Sequence, residues 1–585
     1  MTMTSFLIER RQPAAAITGD GLPADLHPVL KRVYAGRRVA TAQALQRSME
    51  SLLPVEMQSG CDAAEALLHE VLAAEGRILI VGDFDADGAT SCALGVRALR
   101  MMGAREVGYL VPNRFEYGYG LTPEIVALAQ HQNPARPPAL IITVDNGISS
   151  LEGVAAARAR GIRVLITDHH LPGRELPAAD VIVNPNQPGD TFPSKSLAGV
   201  GVIFYVMLAL RRHLRDAGWF AARGIEEPRL AELLDLVALG TVADVAVLDQ
   251  NNRILVAQGL ARIRRGKGCA GIRALVRVAK RELERLSATD LGFALGPRLN
   301  AAGRLEDMSL GIECLLCEDE AAAFAMAERL DGLNQERRRI EDEMKTQAQS
   351  CLDELPGEVG PTSGGVSLCL YHADWHQGVI GILASRLKEQ LHRPVIAFAP
   401  AGQDEIKGSA RSIPGLHIRD ALDAVATRHP GLIVKFGGHA MAAGLTLRPA
   451  DFPAFQAAFE AEVRRHLDPA ELRGVIYSDG ELAADEISLD VAELLRDAGP
   501  WGQGFPEPVF DGRFEVAERR CVGARHVKMV LRLPGTGRHV DAIAFNTRVD
   551  QCPAVRGEIR IAYRLDVNEY RGQRSPQLII EHIVD

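Results

Sequence analysis

The chain has 585 residues, of which 47% are hydrophobic and 24% charged, with a net charge of −9. That length exceeds a single hydrophobic core and calls for three or four domains of ordinary globular composition. The acidic balance excludes a chain that is basic throughout, so any nucleic-acid partner must meet local basic surface. One such stretch, 262–285, carries nine Lys or Arg against two Glu, although the same charges fit a solvated helix face equally well.

The nine cysteines follow no disulfide or zinc spacing, and the one C-x-x-C pair, Cys314 and Cys317, reads as core packing in an apolar helical run. No signal-peptide pattern opens the chain, and no apolar run of about 18 residues appears, so a soluble cytoplasmic protein is expected.

Residues 1–75 are rich in Ala and Leu and read as helical. From Arg77 short β runs alternate with helical segments. Strands are expected at 77–81, 106–111, 139–144, 163–167 and 180–183, with helices at 89–102, 123–131, 151–160 and 199–217. This alternation predicts an α/β fold with a doubly wound, mostly parallel sheet whose strand C-termini share one edge.

Polar residues collect at that edge. Asp83, Asp85 and Asp87 follow the first strand, Asp145 follows 141–144, and Asp168, His169 and His170 follow 164–167. A fourth apolar element, 236–243, ends at Asp244. Carboxylates crowded in this way repel one another unless cations sit among them. Oxygen donors joined by imidazole, with no thiolate, suit Mn²⁺ or Mg²⁺ better than structural zinc.

The segments G-D-F-D-A-D-G, V-D-N-G-I-S, T-D-H-H and A-L-G-T-V-A-D-V resemble the four motifs of the DHH phosphoesterases. Further blocks narrow the resemblance to the RecJ family of single-strand-specific 5′-to-3′ DNA exonucleases. They are P-N-R with Y-G-Y-G at 112–120, G-P-R-L-N-A-A-G-R at 296–304 and W-H-Q-G-V-I-G-I-L-A-S-R at 375–386. K-G-S-A-R-S at 407–412 and F-G-G-H-A-M-A-A-G at 436–444 complete the set.

Downstream, 318–355 reads as one long helix of about 57 Å, suited to connecting two lobes. Residues 356–466 read as a second α/β lobe, which the resemblance makes the DHH-associated domain. Its run Gly437-Gly438-His439 and Ala442-Ala443-Gly444 fits either a phosphate-binding helix start or tight helix packing. Ser409, Arg411 and Ser412 add hydroxyls and a guanidinium fork suited to a terminal phosphate. The last stretch is β-rich, with strands expected at 527–533, 540–545, 558–565 and 577–583, and with Tyr563 and Tyr570 placed among arginines to stack bases. Sequence alone fits a barrel or a sandwich here, while the resemblance implies an OB-fold. The expected domains are therefore 1–75, 76–315, the connector 316–355, 356–466 and 470–585.

The resemblance also implies roles. Asp145 would bridge two divalent ions, Mn²⁺ or Mg²⁺, with Asp87, His169 and Asp244 completing one ligand set and Asp83 and Asp85 the other. His170 would face the phosphate as proton donor or charge stabiliser, or else orient His169, and Asp168 would fix the tautomer of the ligand histidine. Substrate contacts would fall to Arg114, Arg298, Asn300, Arg304, His376, Ser409, Arg411, Gly437, Gly438 and His439. For Arg298 and Arg304 a structural ion pair is the alternative. The implied activity releases mononucleotides from 5′ ends of single-stranded DNA in recombination and repair, in a channel between two lobes too narrow for duplex. A monomer is expected, with a single-strand-binding protein and a helicase as partners and no membrane. The rival readings are a phosphodiesterase for short or cyclic oligonucleotides and a non-catalytic DNA-binding scaffold.

Overall fold

The computed structural model describes residues 6–12, 21–112, 117, 120–354, 365–402, 404–468, 472–523, 526–545, 547, 552 and 557–584. The chain divides into two compact units. One comprises Pro13–Asn334 with Arg496–Glu507, the other Met1–Gln12, Gln335–Leu495 and Pro508–Asp585. The N-terminal segment is only partly helical. Leu7–Arg10 forms a strand (β1), followed by helices Pro28–Gly36 and Cys61–Ala73 with short 3₁₀ turns between them.

The larger unit is built on a parallel sheet of β2 (Ile78–Gly82), β3 (Val107–Leu110), β4 (Leu140–Val144), β5 (Arg163–Thr167) and β6 (Val181–Val183), in the order β3-β2-β4-β5-β6. Every residue of β2 and β4 is buried, which is why these strands are continuous apolar runs rather than alternating ones. From β2 the chain steps outward to β3 and then returns across β2 to β4. The order therefore reverses between β2 and β4, where the loops following the two strands diverge and leave a crevice. The acids at 83–87 and Asp145 follow these two strands.

The apolar run ending at Asp244 is a helix, Leu234–Ala243, rather than another strand of the edge. All of Leu234–Thr241 is buried, and an element that is apolar on every side carries no periodicity to separate helix from strand. Cys314 lies in the core with its thiol near the Ala323 carbonyl, as core packing requires.

The long helix runs Glu320–Glu354, 35 residues, and the division between the units falls inside it. Its apolar residues are spent in two places, Ala323, Ala327 and Leu330 toward one end and Met344 and Ala348 toward the other. Few apolar positions are left along its length, hence the charged run between them.

The smaller unit contains a mixed sheet of β7 (Leu368–Tyr371), β8 (Val395–Pro400), β9 (Ile406–Arg411), β10 (Lys435–Gly438) and β11 (Ala442–Leu447), ordered β10-β11-β9-β8-β7. The glycine- and alanine-rich run, expected at a helix start or in helix packing, is instead the β10–β11 hairpin. Strand β12 (Val475–Ser478) pairs in parallel with β1. A closed barrel follows, made of β13 (Phe510–Val522), β14 (His526–Arg532), β15 (His539–Phe545), β16 (Glu558–Tyr570) and β17 (Gln573–Val584). Closure removes the free edges and settles the choice between barrel and sandwich. Tyr563 is fully buried against Phe514 inside the barrel and is unavailable to bases, whereas Tyr570 is exposed beside Arg571.

Asp511 fastens β1 to the start of the barrel. Its carboxylate accepts from Arg10 Nε and Nη2, both at 3.0 Å, and from Ser478 Oγ at 2.6 Å. Burial alone would raise the Asp511 carboxyl, but the Arg10 and Ser478 hydrogen bonds hold it below the usual range. A carboxyl lowered in the folded state stabilises at neutral pH and loses that contribution as pH falls through its folded value. Arg10→Ala should therefore cost about 1–2 kcal/mol in urea unfolding at pH 7, and the difference from wild type should shrink toward acid pH.

Candidate metal centre and anion site

The acidic loop follows directly from the end of β2. Asp85 caps the helix Ala86–Met101, its Oδ1 accepting from the N–H groups of Asp87 at 2.9 Å and Gly88 at 3.0 Å. A Cβ on Gly88 would stand 2.4 Å from the Asp83 carbonyl oxygen, so the turn admits only glycine. The helix Gly296–Leu305 closes on the same loop, where a Cβ on Gly303 would lie 1.9 Å from the Phe84 carbonyl oxygen. Asn300 of that helix accepts from the Ala86 N–H at 2.7 Å. The structure thus places Asn300 as a brace of the acidic loop.

Across the crevice Asp145 follows β4 directly and lies in the left-handed region, with φ 61°. Asn146 Nδ2 donates to the carbonyls of Val81 and Val144, at 3.1 and 2.8 Å, and ties the tips of β2 and β4 together. The helix Gly199–Asp216 begins against both acids. Its Gly199 and Val200 N–H groups donate to Asp87 Oδ2 and Oδ1 at 2.6 and 2.9 Å, so a helix N-terminus compensates this buried carboxylate. A Cβ on Gly199 would lie 2.6 Å from Asp145 Cβ. In helix Leu234–Ala243 a Cβ on Gly240 would meet Asp87 Oδ1 at 2.8 Å. That close passage delivers Asp244, at the helix end, to the cluster.

His169 Nε2 lies 3.0 Å from Asp145 Oδ1 and 3.9 Å from Asp244 Oδ2. Three overlapping groups result, Asp83/Asp85/Asp145, Asp87/His169/Asp244 and Asp145/His169/His170, with donor atoms within 4.8 Å of one another in each. All six expected ligands come together. Burial, and then the charges of the neighbouring acids, holds Asp145 and Asp244 well above the usual carboxylate range. Burial and Asp85 push Asp87 up to about 7 despite its two N–H donors. Oxygen donors that repel one another around a single imidazole fit hard divalent cations such as Mn²⁺ or Mg²⁺.

Asp168 serves His170 rather than His169. Its Oδ1 lies 2.7 Å from His170 Nδ1 and also accepts from the His169 and His170 backbone N–H groups, while Oδ2 accepts from Ile148 N–H at 2.9 Å. Burial works against protonation of His170, but the Asp168 bond and charge outweigh it and raise its pKa. Two asparagines of the segment after β6 escaped the sequence reading. Asn184 Nδ2 donates to the His170 carbonyl at 2.9 Å and Asn186 Nδ2 to the His169 carbonyl at 2.6 Å. The signal was the N-P-N triplet after a strand on the edge already known to hold the site.

The other predicted contacts sort differently. Arg298 is buried, with Nη1 on the Ala294 carbonyl at 2.6 Å and Nη2 on Asp331 at 2.7 Å, which is the ion-pair alternative. Arg304 is half-buried near the end of its helix, and Arg114 lies outside the described residues. The basic stretch 262–285 is largely engaged within its own unit, for example Arg281 with Asp290 and Arg273 with Glu320.

In the smaller unit the sheet gathers a second site. Arg411 donates from Nε to Ser385 Oγ at 3.1 Å and from Nη1 to Ser409 Oγ at 3.0 Å. Among the described residues no carboxylate pairs with it, and burial lowers its pKa. Pairing sets Ser409 opposite Gly444, itself opposite Gly437, and Arg411 opposite Ala442, whose carbonyl accepts the His439 N–H. Nothing lies within 4 Å of the place a Gly437 Cβ would take, so the sheet surface is bare there. Gly438 has φ 148°, which requires glycine at the turn. The helix Ile380–Leu391 closes the site, since a Cβ on its Gly381 would stand 2.8 Å from Arg411 Nη2. His376, in the loop before that helix, accepts the Gly378 N–H at 3.1 Å. A cation with no countercharge among the described residues, beside two hydroxyls and a helix N-terminus, suits an anion.

The Gly199→Ala variant should keep its fold but displace Asp145 or Asp87. Manganese affinity, measured calorimetrically, is expected to fall about 10–100-fold.

Three family models match: the DHH family N-terminal domain over residues 77–241, the DHHA1 domain over 364–465 and the RecJ OB domain over 478–582. The chain is 57% identical to the single-stranded-DNA-specific exonuclease RecJ of Dickeya dadantii, covering 98% of both chains. It is 55% identical to that of Escherichia coli, covering 98% of this chain and 99% of the relative. Among solved structures, RecJ of Thermus thermophilus in complex with Mn²⁺ matches with TM-score 0.80 and 30% identity, covering 99% of this chain and 79% of that one. A Mg²⁺ complex of the same protein matches with TM-score 0.75 at 28% identity, covering 99% and 78%. The chain belongs to the RecJ family of exonucleases.

Proposed function

We propose that this protein is a 5′-to-3′ exonuclease specific for single-stranded DNA, releasing mononucleotides by two-metal phosphodiester hydrolysis. The observation that carries the reading is the sharing of Asp145. It groups with Asp83 and Asp85 and also stands 3.0 Å from His169, which groups with Asp87 and Asp244. A carboxylate common to two ligand sets is what a pair of adjacent cations requires. Asp83, Asp85 and Asp145 would hold one cation and Asp87, His169, Asp244 and Asp145 the other. Such cations, when bound, supply charge to the scissile phosphate and lower the pKa of an attacking water.

The chain's own residues account for the remaining roles. Asp168 fixes Nδ1–H of His170, which leaves Nε2 to face a phosphate oxygen or the departing 3′ oxygen and hold a proton there. Asn184 and Asn186 hold the His170 and His169 backbones, so neither ring position depends on a loop alone. Arg411, Ser385 and Ser409 would bind the anionic 5′ end, which makes polarity a property of the smaller unit. Removal of nucleotides from single-strand ends suits the end-processing steps of DNA recombination and repair. The relatives named above are single-stranded-DNA-specific exonucleases, and the family OB domain supports a nucleic-acid substrate.

The test is a nuclease assay with Mn²⁺ or Mg²⁺ on single and double strands labelled at either end. Single strands should be shortened from the 5′ end, and Asp145→Asn should lose activity on the order of 10³-fold. Arg411→Ala should lose about ten-fold on 5′-phosphorylated ends and retain cleavage. Shortening from the 3′ end, or cleavage of dinucleotides alone, would contradict the reading.

A further inference from the structure

Two apolar side chains stand in solvent beside the helix end that carries Asp244. Phe293 is 74% exposed, although its neighbours Leu291, Ala294 and Leu295 are buried. It belongs to a π-helical turn, Leu291–Leu295, that leads into the helix Gly296–Leu305. Single π turns of this kind cost hydrogen-bond geometry and collect at functional sites. The turn runs along the last residues of helix Leu234–Ala243. A Cβ on Gly292 would lie 3.2 Å from Val242 Cγ1, and one on Gly296 would lie 3.1 Å from Ala243 Cβ.

Val245 follows Asp244 directly in the chain, is 62% exposed and is held at φ 62°. Its N–H donates to the Val242 carbonyl and the Ala246 N–H to Thr241, both at 3.2 Å, a helix ending that ordinarily takes glycine. A β-branched residue there is strained and gains no burial in return. Neither Phe293 nor Val245 is placed where it serves the core.

We propose that Phe293 and Val245 form an apolar platform that receives the bases of the strand as it passes the metal centre, Phe293 by ring stacking. This rests on the nuclease reading above and adds residues that select for single strands. Every base has a stacking face, so the platform is indifferent to sequence. In a duplex those faces are already occupied by neighbouring base pairs, and the platform has nothing to receive.

The experiment compares the full-length protein, F293A, F293W and V245G with Mn²⁺ on 5′-phosphorylated oligodeoxynucleotides. The substrates are intact or carry one abasic site, moved through the first several positions. Wild type should lose about ten-fold in kcat/KM at one or two abasic positions. F293A should show a comparable loss on intact DNA, mostly in KM, with no further loss at those positions, and F293W should restore both. V245G should raise the unfolding midpoint yet raise KM. F293A matching wild type on intact DNA, or remaining as sensitive to abasic sites, overturns the platform. An unchanged KM in V245G removes Val245 from it. A wild type that degrades no single strand would instead defeat the nuclease reading.

Discussion

The mutual repulsion of buried carboxylates at the crevice between β2 and β4 is the constraint on which the larger unit is organised. Asp87, Asp145 and Asp244 are driven together by burial and close backbone passage, and each is held above its ordinary pKa as a result. Folding supplies partial relief through the N-terminus of helix Gly199–Asp216, whose N–H groups address Asp87. The rest of the relief is left to divalent cations. Small residues make the crowding possible, because Gly88, Gly199, Gly240 and Gly303 stand where a Cβ would strike the acids or their loop.

The two units divide the chemistry. The larger one gathers buried carboxylates and two histidines at one sheet edge. The smaller one buries the Arg411 guanidinium, which pairs with no carboxylate among the described residues, an arrangement that would suit an anion. The barrel presents Tyr570 and Arg571 at its hairpin tip but keeps Tyr563 for its own core. Among the described residues no helix is long and apolar enough to cross a membrane.

Much of this was legible in the sequence because parallel strands buried on both faces are unbroken apolar runs, and polar residues at their ends stand out. The six candidate ligands, which the structure brings together, follow from that pattern together with motif resemblance. What escaped has physical reasons. Helix Leu234–Ala243 is buried all round and has no period to read. The run 436–444 fits a phosphate-binding helix start or tight helix packing on sequence because glycine and alanine suit close approach of any kind, and only strand pairing shows it to be a hairpin. Tyr563 was placed at a binding surface because alternation gives two faces without saying which is inward. Strand β13 gives no continuous apolar signal because charged residues interrupt Phe510–Val522. Asn184 and Asn186, and the bracing role of Asn300, which sequence places at the substrate, depend on backbone groups distant in sequence that spacing alone does not encode.

The central claim is that Asp145 joins two cation sites. Titration of manganese into the metal-free protein, followed by calorimetry and electron paramagnetic resonance, tests it most directly. The account predicts two manganese ions per chain with magnetic coupling between them, and loss of that coupling in Asp145→Asn. A single ion per chain, or two ions without coupling in the wild-type protein, would contradict it.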